Sequence, residues 1–414
     1  MTDPSEKSFL DLSRRGFLAA AAGSVAGAGL ASSGAQAQQP ENLPNIPDDA
    51  VGRPFPEADL QMPLPPDQRL GWCVVGLGAF ALNHVIPAIT RSQTCRLAGL
   101  VSGNAEKARR VATHYGVPDA RIYDYESFDD IANDDSIDVV YIVLPNGLHA
   151  EYTIRAFEAG KHVMCEKPMA NTVEECRAMI QASQEADRKL MIAYRAHFEP
   201  HNQRALRMKK EGAFGDIRLV IGDTMRPLDL SRPRDEWRVL RDLAGGGSMM
   251  DIGIYALNGT LYFLEESPVA LVASISNPPD DIRFRQVEDL VTVQLRFGSG
   301  ALANLSSSYT MNENRIQILG SEGTGLLNPA TSYVGNTLYE TGSDVGTRKV
   351  PVQDSSLRQF TGEIDHLSRA IIENFTPDTP GEMGLRDVAL IRAIYASAER
   401  GSWVELNPDG TMRG

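Results

Sequence analysis

Residues 72–81 read Trp-Cys-Val-Val-Gly-Leu-Gly-Ala-Phe-Ala, an apolar run that breaks into Gly76-Leu77-Gly78-Ala79-Phe80-Ala81. Few short stretches restrict a fold as much. The apolar run predicts a buried strand and the pattern over 81–91 predicts a helix, so the glycines fall in the turn between them. That context separates a dinucleotide-binding turn from a chance pair of glycines. Each small residue meets a physical demand. Gly76 allows the tight turn, Gly78 lets a diphosphate reach the N–H groups of the helix N-terminus, and Ala81 lets helix and strand pack closely.

The pattern continues in kind. Short apolar runs ("LAGLVS", "DVVYIVLP", "HVMCE", "LMIAY") alternate with helical patterns over 104–115, 148–159 and 173–187. Strands alternating with helices of this length imply right-handed βαβ units, hence a doubly wound parallel Rossmann sheet over 70–193. After about residue 215 strands follow one another closely, several joined by Gly or Ser turns such as "GSG" at 298–300. Residues 194–414 are therefore expected to form an α+β domain with a large, mainly antiparallel open sheet. Helical patterns over 358–374 and 383–400 close the chain, the second stopped by Gly401 after Arg400.

The N-terminus carries an address. Ser13-Arg14-Arg15-Gly16-Phe17-Leu18 opens an uncharged Ala/Gly-rich run too short to span a bilayer, and Ala35-Gln36-Ala37 has the small-x-small form a signal peptidase accepts. Residues 1–37 read as a twin-arginine (Tat) signal for a folded cargo, which implies the Tat export machinery as a partner of the precursor and the periplasm as destination. Between Gln38 and Arg69 stand eight prolines without apolar periodicity, an extended arm suited to lie across a surface. No second long apolar run exists, so a membrane anchor is not expected.

The net charge of −14 remains with the mature chain, because the leader's charges cancel. Such a chain repels phosphate backbones and anionic lipid, which excludes nucleic acid as the default partner and leaves a small molecule. The four cysteines show no metal-type spacing, and none of the motifs calls for a metal. Free buried thiols are the expected state after folding in a reducing compartment, with a disulfide the alternative for an exported protein.

The end of the second strand bears on cofactor choice. A site for NAD places a carboxylate there, on the ribose hydroxyls. This strand ends in Ser102-Gly103-Asn104, with Lys107 one turn on, so donors and a cation stand in its place and favour the 2'-phosphate of NADP. Ser102 and Asn104 also suit helix capping. Pro145-Asn146 ends the fourth strand where the nicotinamide ribose should lie, and His149 beside it is either part of that site or structural.

Glu166-Lys167-Pro168 sits at the carboxyl end of a parallel strand, where ligands of open α/β sheets bind. Lys167 is a surface residue or a cation aimed at substrate and nicotinamide, and its position favours the second. In "GGGSMMDIGIYALN" from Gly245, Asp251 and Tyr255 are four apart and share one face of a predicted helix. The three glycines lack the spacing of a phosphate loop, and a turn that brings this helix close to the cofactor fits them better.

"GLGAFALN", "LVSGNAEKA", "YIVLPNGLHAE", "HVMCEKPMA", "AGGGSMMDIGIYALNGT" and "GSEGT" together resemble the Gfo/Idh/MocA oxidoreductase family, over nearly the whole chain. The likeness is to its glucose-fructose oxidoreductase branch, where Tyr255 replaces the histidine of many members. The resemblance implies Lys167, Asp251 and Tyr255 as catalytic residues, Tyr255 for proton transfer, and NADP(H) held tightly and not released. It implies sugars as substrates: an aldose such as glucose oxidised at C1 to a lactone, and a second sugar reduced to an alditol. It also implies a homodimer or homotetramer built through the C-terminal sheet. Arg195 suits a sugar contact or an interdomain ion pair, and Trp237 a sugar contact or core. The stretch "MRPLDLSRPRDEW", 225–237, departs from the ketose-reducing pattern and favours an aldose as acceptor as well as donor. The competing readings are an exported NAD-dependent glycosidase of the same family and a cofactor-free sugar-binding protein.

Overall fold

The computed structural model describes residues 64–342, 346–352 and 358–413. The twin-arginine leader and residues 38–63 of the arm lie outside the described residues. What is described of the arm lies against the first domain: the Leu64 N–H donates to the Gln93 carbonyl at 2.8 Å.

The first sheet contains β1 (Leu70–Val75), β2 (Cys95–Val101), β3 (Ile122–Tyr123), β4 (Val139–Ile142), β5 (His162–Glu166) and β6 (Leu190–Ala193). All neighbours are parallel and the order is β3-β2-β1-β4-β5-β6, a Rossmann sheet. Trp72, Cys73, Val74 and Val75 are fully buried, which is why β1 reads as an unbroken apolar run rather than an alternation. Its crossovers include α1 (Ile86–Arg91), α2 (Ala105–Tyr115), α3 (His149–Glu158) and α4 (Val173–Glu185). Because β1 has β2 on one side and β4 on the other, the order reverses there and opens a crevice at the strands' carboxyl ends. All four cysteines are buried free thiols.

Helix α5 (Pro200–Lys210) leads into the second sheet and has no apolar periodicity in the sequence. Its buried face is mixed: Ala205 and Met208 join the core, while at its start Glu199 accepts from the N–H and the side-chain amide of Asn202 (2.8 and 2.9 Å) and pairs with His201. The sheet itself has nine strands: β7 (Ile217–Met225), β8 (Pro268–Ser276), β9 (Leu290–Phe297), β10 (Leu302–Ser308), β11 (Glu313–Gly320), β12 (Gly323–Leu327), β13 (Leu338–Gly342), β14 (Gly346–Lys349) and β15 (Val404–Glu405). Their order is β14-β13-β12-β11-β7-β10-β9-β8-β15, antiparallel throughout except for the pair β7 and β10. The exception follows from connectivity. Between β7 and β8 the chain leaves the sheet for α6 (Arg241–Ala244) and α7 (Ile254–Leu264), and it re-enters at the far edge of the β8-β9-β10 meander.

The last two helices cross back. Phe360, Ile364 and Leu367 of α8 (Arg358–Ile372) share a buried core with Trp72 and Val74 of β1 and Ile89 of α1. Each such side chain contributes about 1.5–3 kcal/mol on burial, so this helix is fixed to the first domain. Helix α9 (Gly381–Arg400) ends where the sequence places the stop, at Gly401 with φ +62°. Among the described residues no helix is long and apolar enough to cross a membrane.

Candidate active site

At the end of β1, Gly76 has φ +94°, and an added Cβ would stand 2.3 Å from the Val143 carbonyl oxygen. Only glycine fits. Gly78 is the opposite case, since an added Cβ would meet nothing within 4 Å. That open ground over a helix N-terminus is the cradle a diphosphate fills, so the residues present fit a dinucleotide. The helix begins with a π turn, Ala81–Val85, a distortion that recurs at functional sites. Ala79 is half-buried within the turn. Phe80 packs on Phe360 (centroids 5.8 Å apart) and His84 on Tyr333 (4.4 Å), so Phe80 belongs to an aromatic clasp between the two halves.

At the end of β2 the capping alternative is realised. The Ser102 hydroxyl accepts from the Asn104 N–H (3.1 Å), and Asn104 Oδ1 accepts from the Lys107 N–H (2.9 Å), across Gly103. Ser102 also lines a cavity of about 280 Å³ with Ala105, Arg109, Tyr123, Asp124 and Ser127. Arg109 is a cation the sequence reading overlooked, although Ala105 and Arg109 share a face of α2 at i, i+4. Two acids share this wall, Asp119 and Asp124. Asp124 Oδ1 accepts from the N–H groups of Glu126 and Ser127 and from the Ser127 hydroxyl.

At the ends of β4 and β5 the structural alternative for His149 is the one realised. His149 is fully buried, with Nδ1 2.8 Å from the Pro168 carbonyl and Nε2 2.8 Å from the Leu144 carbonyl. Both ring nitrogens are committed, so His149 ties the Lys167-Pro168 turn to the end of β4 and does not reach a ribose. Glu166 likewise faces inward, accepting from the Tyr141 hydroxyl at 2.7 Å. Burial raises its pKa against the opposing pull of Lys167. Asn146, next to Pro145, uses its amide nitrogen on the Ala244 carbonyl (2.8 Å).

Lys167, Asp251 and Tyr255 do meet. The Lys167 ammonium donates to the Asp251 carbonyl (2.7 Å), lies 3.7 Å from Asp251 Oδ1, and sits 4.8 Å from the centroid of the Tyr255 ring. Asp251 lies in a π turn, Met249–Gly253, that runs into α7, where Tyr255 is the second residue. The phenol oxygen belongs to another cation. Arg195 Nε donates to it at 3.1 Å, while Arg195 Nη2 donates to the Thr331 carbonyl (2.6 Å) and Nη1 to Gln359. The bonds of Arg195 thus go to a phenol, a side-chain amide and a backbone carbonyl rather than to a carboxylate. Burial pushes the Tyr255 phenol up to about 12, with Arg195 opposing.

Asp251 Oδ2 is crowded. It accepts from Arg238 Nε (2.9 Å) and the Tyr309 hydroxyl (2.9 Å), and Arg226 Nη2 stands 3.6 Å away. Burial alone would raise this carboxyl. Arg238, then Lys167 and Arg226, outweigh it and hold Asp251 well below the usual carboxylate range. Its Oδ1 is left facing Lys167, the oxygen available to a substrate hydroxyl. Asp235, buried, holds both arginines in turn (3.0 Å to Arg238, 3.7 Å to Arg226). Trp237 is half-buried rather than core, its ring 4.5 Å from the Arg238 guanidinium. Arg226, Asp235 and Arg238 all fall in or beside the 225–237 stretch, whose clustered charges were the available signal for them.

The three glycines before this helix answer to close packing within the protein. An added Cβ at Gly245 would stand 2.3 Å from Asn171 Oδ1, at Gly246 2.1 Å from the Tyr395 hydroxyl, and at Gly247 1.9 Å from the Glu288 carbonyl oxygen. They admit protein side chains and backbone against the turn.

The "Oxidoreductase family, NAD-binding Rossmann fold" pattern of GFO_IDH_MocA matches residues 70–194, and the GFO/IDH/MocA C-terminal domain matches residues 202–325. The chain belongs to the Gfo/Idh/MocA oxidoreductase family. Within it, the chain is 33% identical over 362 residues to D-xylose 1-dehydrogenase [NADP(+)] of Haloarcula marismortui, covering 87% of this chain and 99% of that protein. Among solved structures, aldose-aldose oxidoreductase from Caulobacter crescentus, complexed with glycerol, superposes with TM-score 0.78 at 43% identity, over 82% of this chain and all of that one (100%). Levoglucosan dehydrogenase with NADH and levoglucosan superposes with TM-score 0.71 at 25% identity, over 82% of this chain and 99% of that one. In this Gfo/Idh/MocA protein the cradle at Gly78 would hold the dinucleotide diphosphate, and the cluster of Lys167, Asp251 and Tyr255 lies beyond it at the carboxyl end of β5.

Proposed function

We propose that this chain is a Tat-exported periplasmic sugar oxidoreductase that holds NADP(H) without releasing it. It oxidises an aldose such as glucose at C1 to its aldonolactone and reduces a second sugar, aldose or fructose, to an alditol. The observation that carries the reading is the Arg195–Tyr255 hydrogen bond at 3.1 Å beside Lys167 and Asp251, a half-buried acid–base group in a cationic setting. When bound, the nicotinamide supplies hydride chemistry. The chain supplies the proton and the alignment: Tyr255 takes the C1 hydroxyl proton in oxidation and returns one to the carbonyl oxygen in reduction. Asp251 Oδ1 accepts from a sugar hydroxyl, and Lys167 fixes that carboxylate.

NADP is supported by Ser102 after β2 and Arg109 of α2, which line one cavity, and by the NADP-dependent xylose dehydrogenase among the relatives. Ser102→Asp is expected to weaken NADP binding by about 10- to 100-fold, by setting a carboxylate against the 2'-phosphate, and to leave NAD binding within about 3-fold. Calorimetric titration of cofactor-stripped protein checks this. An aldose as acceptor is supported by the likeness to the aldose-aldose oxidoreductase. The periplasmic location rests on Arg14-Arg15 and its context, and it explains retention, since a cofactor carried through the export step must be regenerated in place.

The test is half-reaction spectroscopy on protein purified without added nucleotide. Glucose alone should convert the bound cofactor to its reduced, near-ultraviolet-absorbing form, and a second sugar added afterwards should bleach it. A cofactor that exchanges freely on dialysis would sink the retention part. Release of an aglycone from a glycoside without net redox change would make the protein a glycosidase instead.

A further inference from the structure

Several ties from distant segments meet on one turn, Asp242–Met249, and the last helix holds that turn from behind. In α9, Arg392 and Tyr395 are three residues apart on one face, the guanidinium 5.5 Å from the ring centroid. Arg392 Nη2 donates to the Gly245 carbonyl (2.9 Å) and to the Asn171 carbonyl. Asn171 follows Lys167 by four residues, and Gly245 precedes Asp251 by six. A single cation thus spans the segment that carries the lysine and the segment that carries the aspartate. Tyr395 acts on the second segment alone. Its hydroxyl donates to Glu288 Oε1 (2.9 Å), and the Glu288 carboxylate accepts from the N–H groups of Gly247 (2.7 Å) and Met249 (3.0 Å), just before the π turn of Asp251.

The spacing needs such ties. Lys167 and Asp251 are 84 residues apart, on loops from different sheets, so no short covalent path sets the 2.7 Å bond between them. Two further ties reinforce the junction, from the Asn171 amide to the Asp242 carbonyl (2.9 Å) and from the Asn146 amide to the Ala244 carbonyl (2.8 Å). Neither reaches as near to both catalytic segments as Arg392, and neither carries charge.

We propose that Arg392, and Tyr395 through Glu288, are positioning residues that set the distance between Lys167 and Asp251. They touch neither the dinucleotide cradle nor the phenol. The proposal rests on the sugar-oxidoreductase reading only for the choice of assay. A misplacement near 1 Å in such a site costs about 10²-fold in rate, which sets the scale of the effect.

The experiment compares Arg392→Met and Tyr395→Phe with the wild type. Arg392→Met should lower kcat for aldose oxidation by about 10- to 100-fold and Tyr395→Phe by about 3- to 10-fold, with KM and cofactor occupancy within about 3-fold. Guanidinium ion added to Arg392→Ala should restore part of the lost rate and leave the wild type unaffected. If the alanine variant does not fold, Arg392→Lys keeps the charge without the planar fork and should retain only part of the rate. A second readout needs no substrate: labelling of Lys167 by an amine-acylating reagent, followed by mass spectrometry. Lys167 is 10% exposed in its side chain, and its labelling rate should rise at least about 3-fold in Arg392→Met. Loss of kcat with KM preserved, together with faster labelling, supports the proposal. Unchanged kcat per folded molecule, a loss confined to KM, or unchanged labelling overturns it. Should no aldose reduce the wild-type cofactor, the sugar reading fails, and the labelling comparison still decides the positioning role.

Discussion

Replacing Tyr255 by Phe is expected to lower the rate of cofactor reduction by aldose by about 10²- to 10⁴-fold, the span that one general acid–base group contributes, while the bound NADP stays in place. The change removes a single oxygen. Arg195, which donates to that oxygen at 3.1 Å, keeps its bonds to Gln359 and Thr331, so the surrounding wall should hold. Stopped-flow absorbance of the reduced nicotinamide reads the rate directly, and wild-type-like reduction would remove Tyr255 from the chemistry. The pH dependence carries the same argument with a definite sign. Burial pushes the phenol up to about 12, so near neutrality Tyr255 is protonated. Oxidation needs the phenolate, whose fraction grows tenfold per pH unit below that pKa, so the logarithm of the oxidation rate should climb with unit slope. Reduction needs the phenol, already present, and should stay flat over the same range.

Replacing Arg195 by Lys should cost oxidation about 10- to 100-fold and move its pH profile to higher pH, because the ammonium keeps the charge but cannot bond Tyr255, Gln359 and the Thr331 carbonyl at once. Arg195 is the strongest influence opposing the upward push of burial on Tyr255, so weakening it raises the phenol further. Reduction should suffer less, since it starts from the protonated phenol. Equal losses in the two directions would show that Arg195 only supports the wall. Measuring both half-reactions across pH on one preparation separates these outcomes.

These two residues also mark how far the chain could be read without its structure. Tyr255 was accessible because it stands four residues after Asp251 in a helical segment behind a glycine turn. Arg195 was accessible only as a residue near the site, with the wrong bonds, because its partners Tyr255, Thr331 and Gln359 come from three separate segments. His149 shows the same difficulty from the other side. A histidine opening a helix beside the expected ribose suits the site or a structural role equally, and the packing sets both its nitrogens against backbone carbonyls. Helix α5 leaves little trace in the sequence because His201 and Asn202 share its buried face with Ala205 and Met208, and β12 because Gly323 and Gly325 dilute an already short strand. Asp251 was placed correctly in the cluster, yet the three arginine and lysine side chains that hold its charge were not all visible in advance.

What the sequence determined by itself was local and repetitive: the glycine turn after β1, the alternation that makes a Rossmann sheet, and the strand end that delivers Lys167. Backbone geometry is set by neighbours along the chain, so periodicity and glycine placement report it. What only the tertiary structure decided was which distant charges meet. The crossing of α8 and α9 back over both sheets brings Gln359 to Arg195 and Arg392 to the Lys167 and Gly245 segments, and the excursion between β7 and β8 lays Arg226 and Arg238 on Asp251. A hydrogen bond between residues 60 or 84 positions apart depends on topology and on desolvation, and neither leaves a period in the sequence.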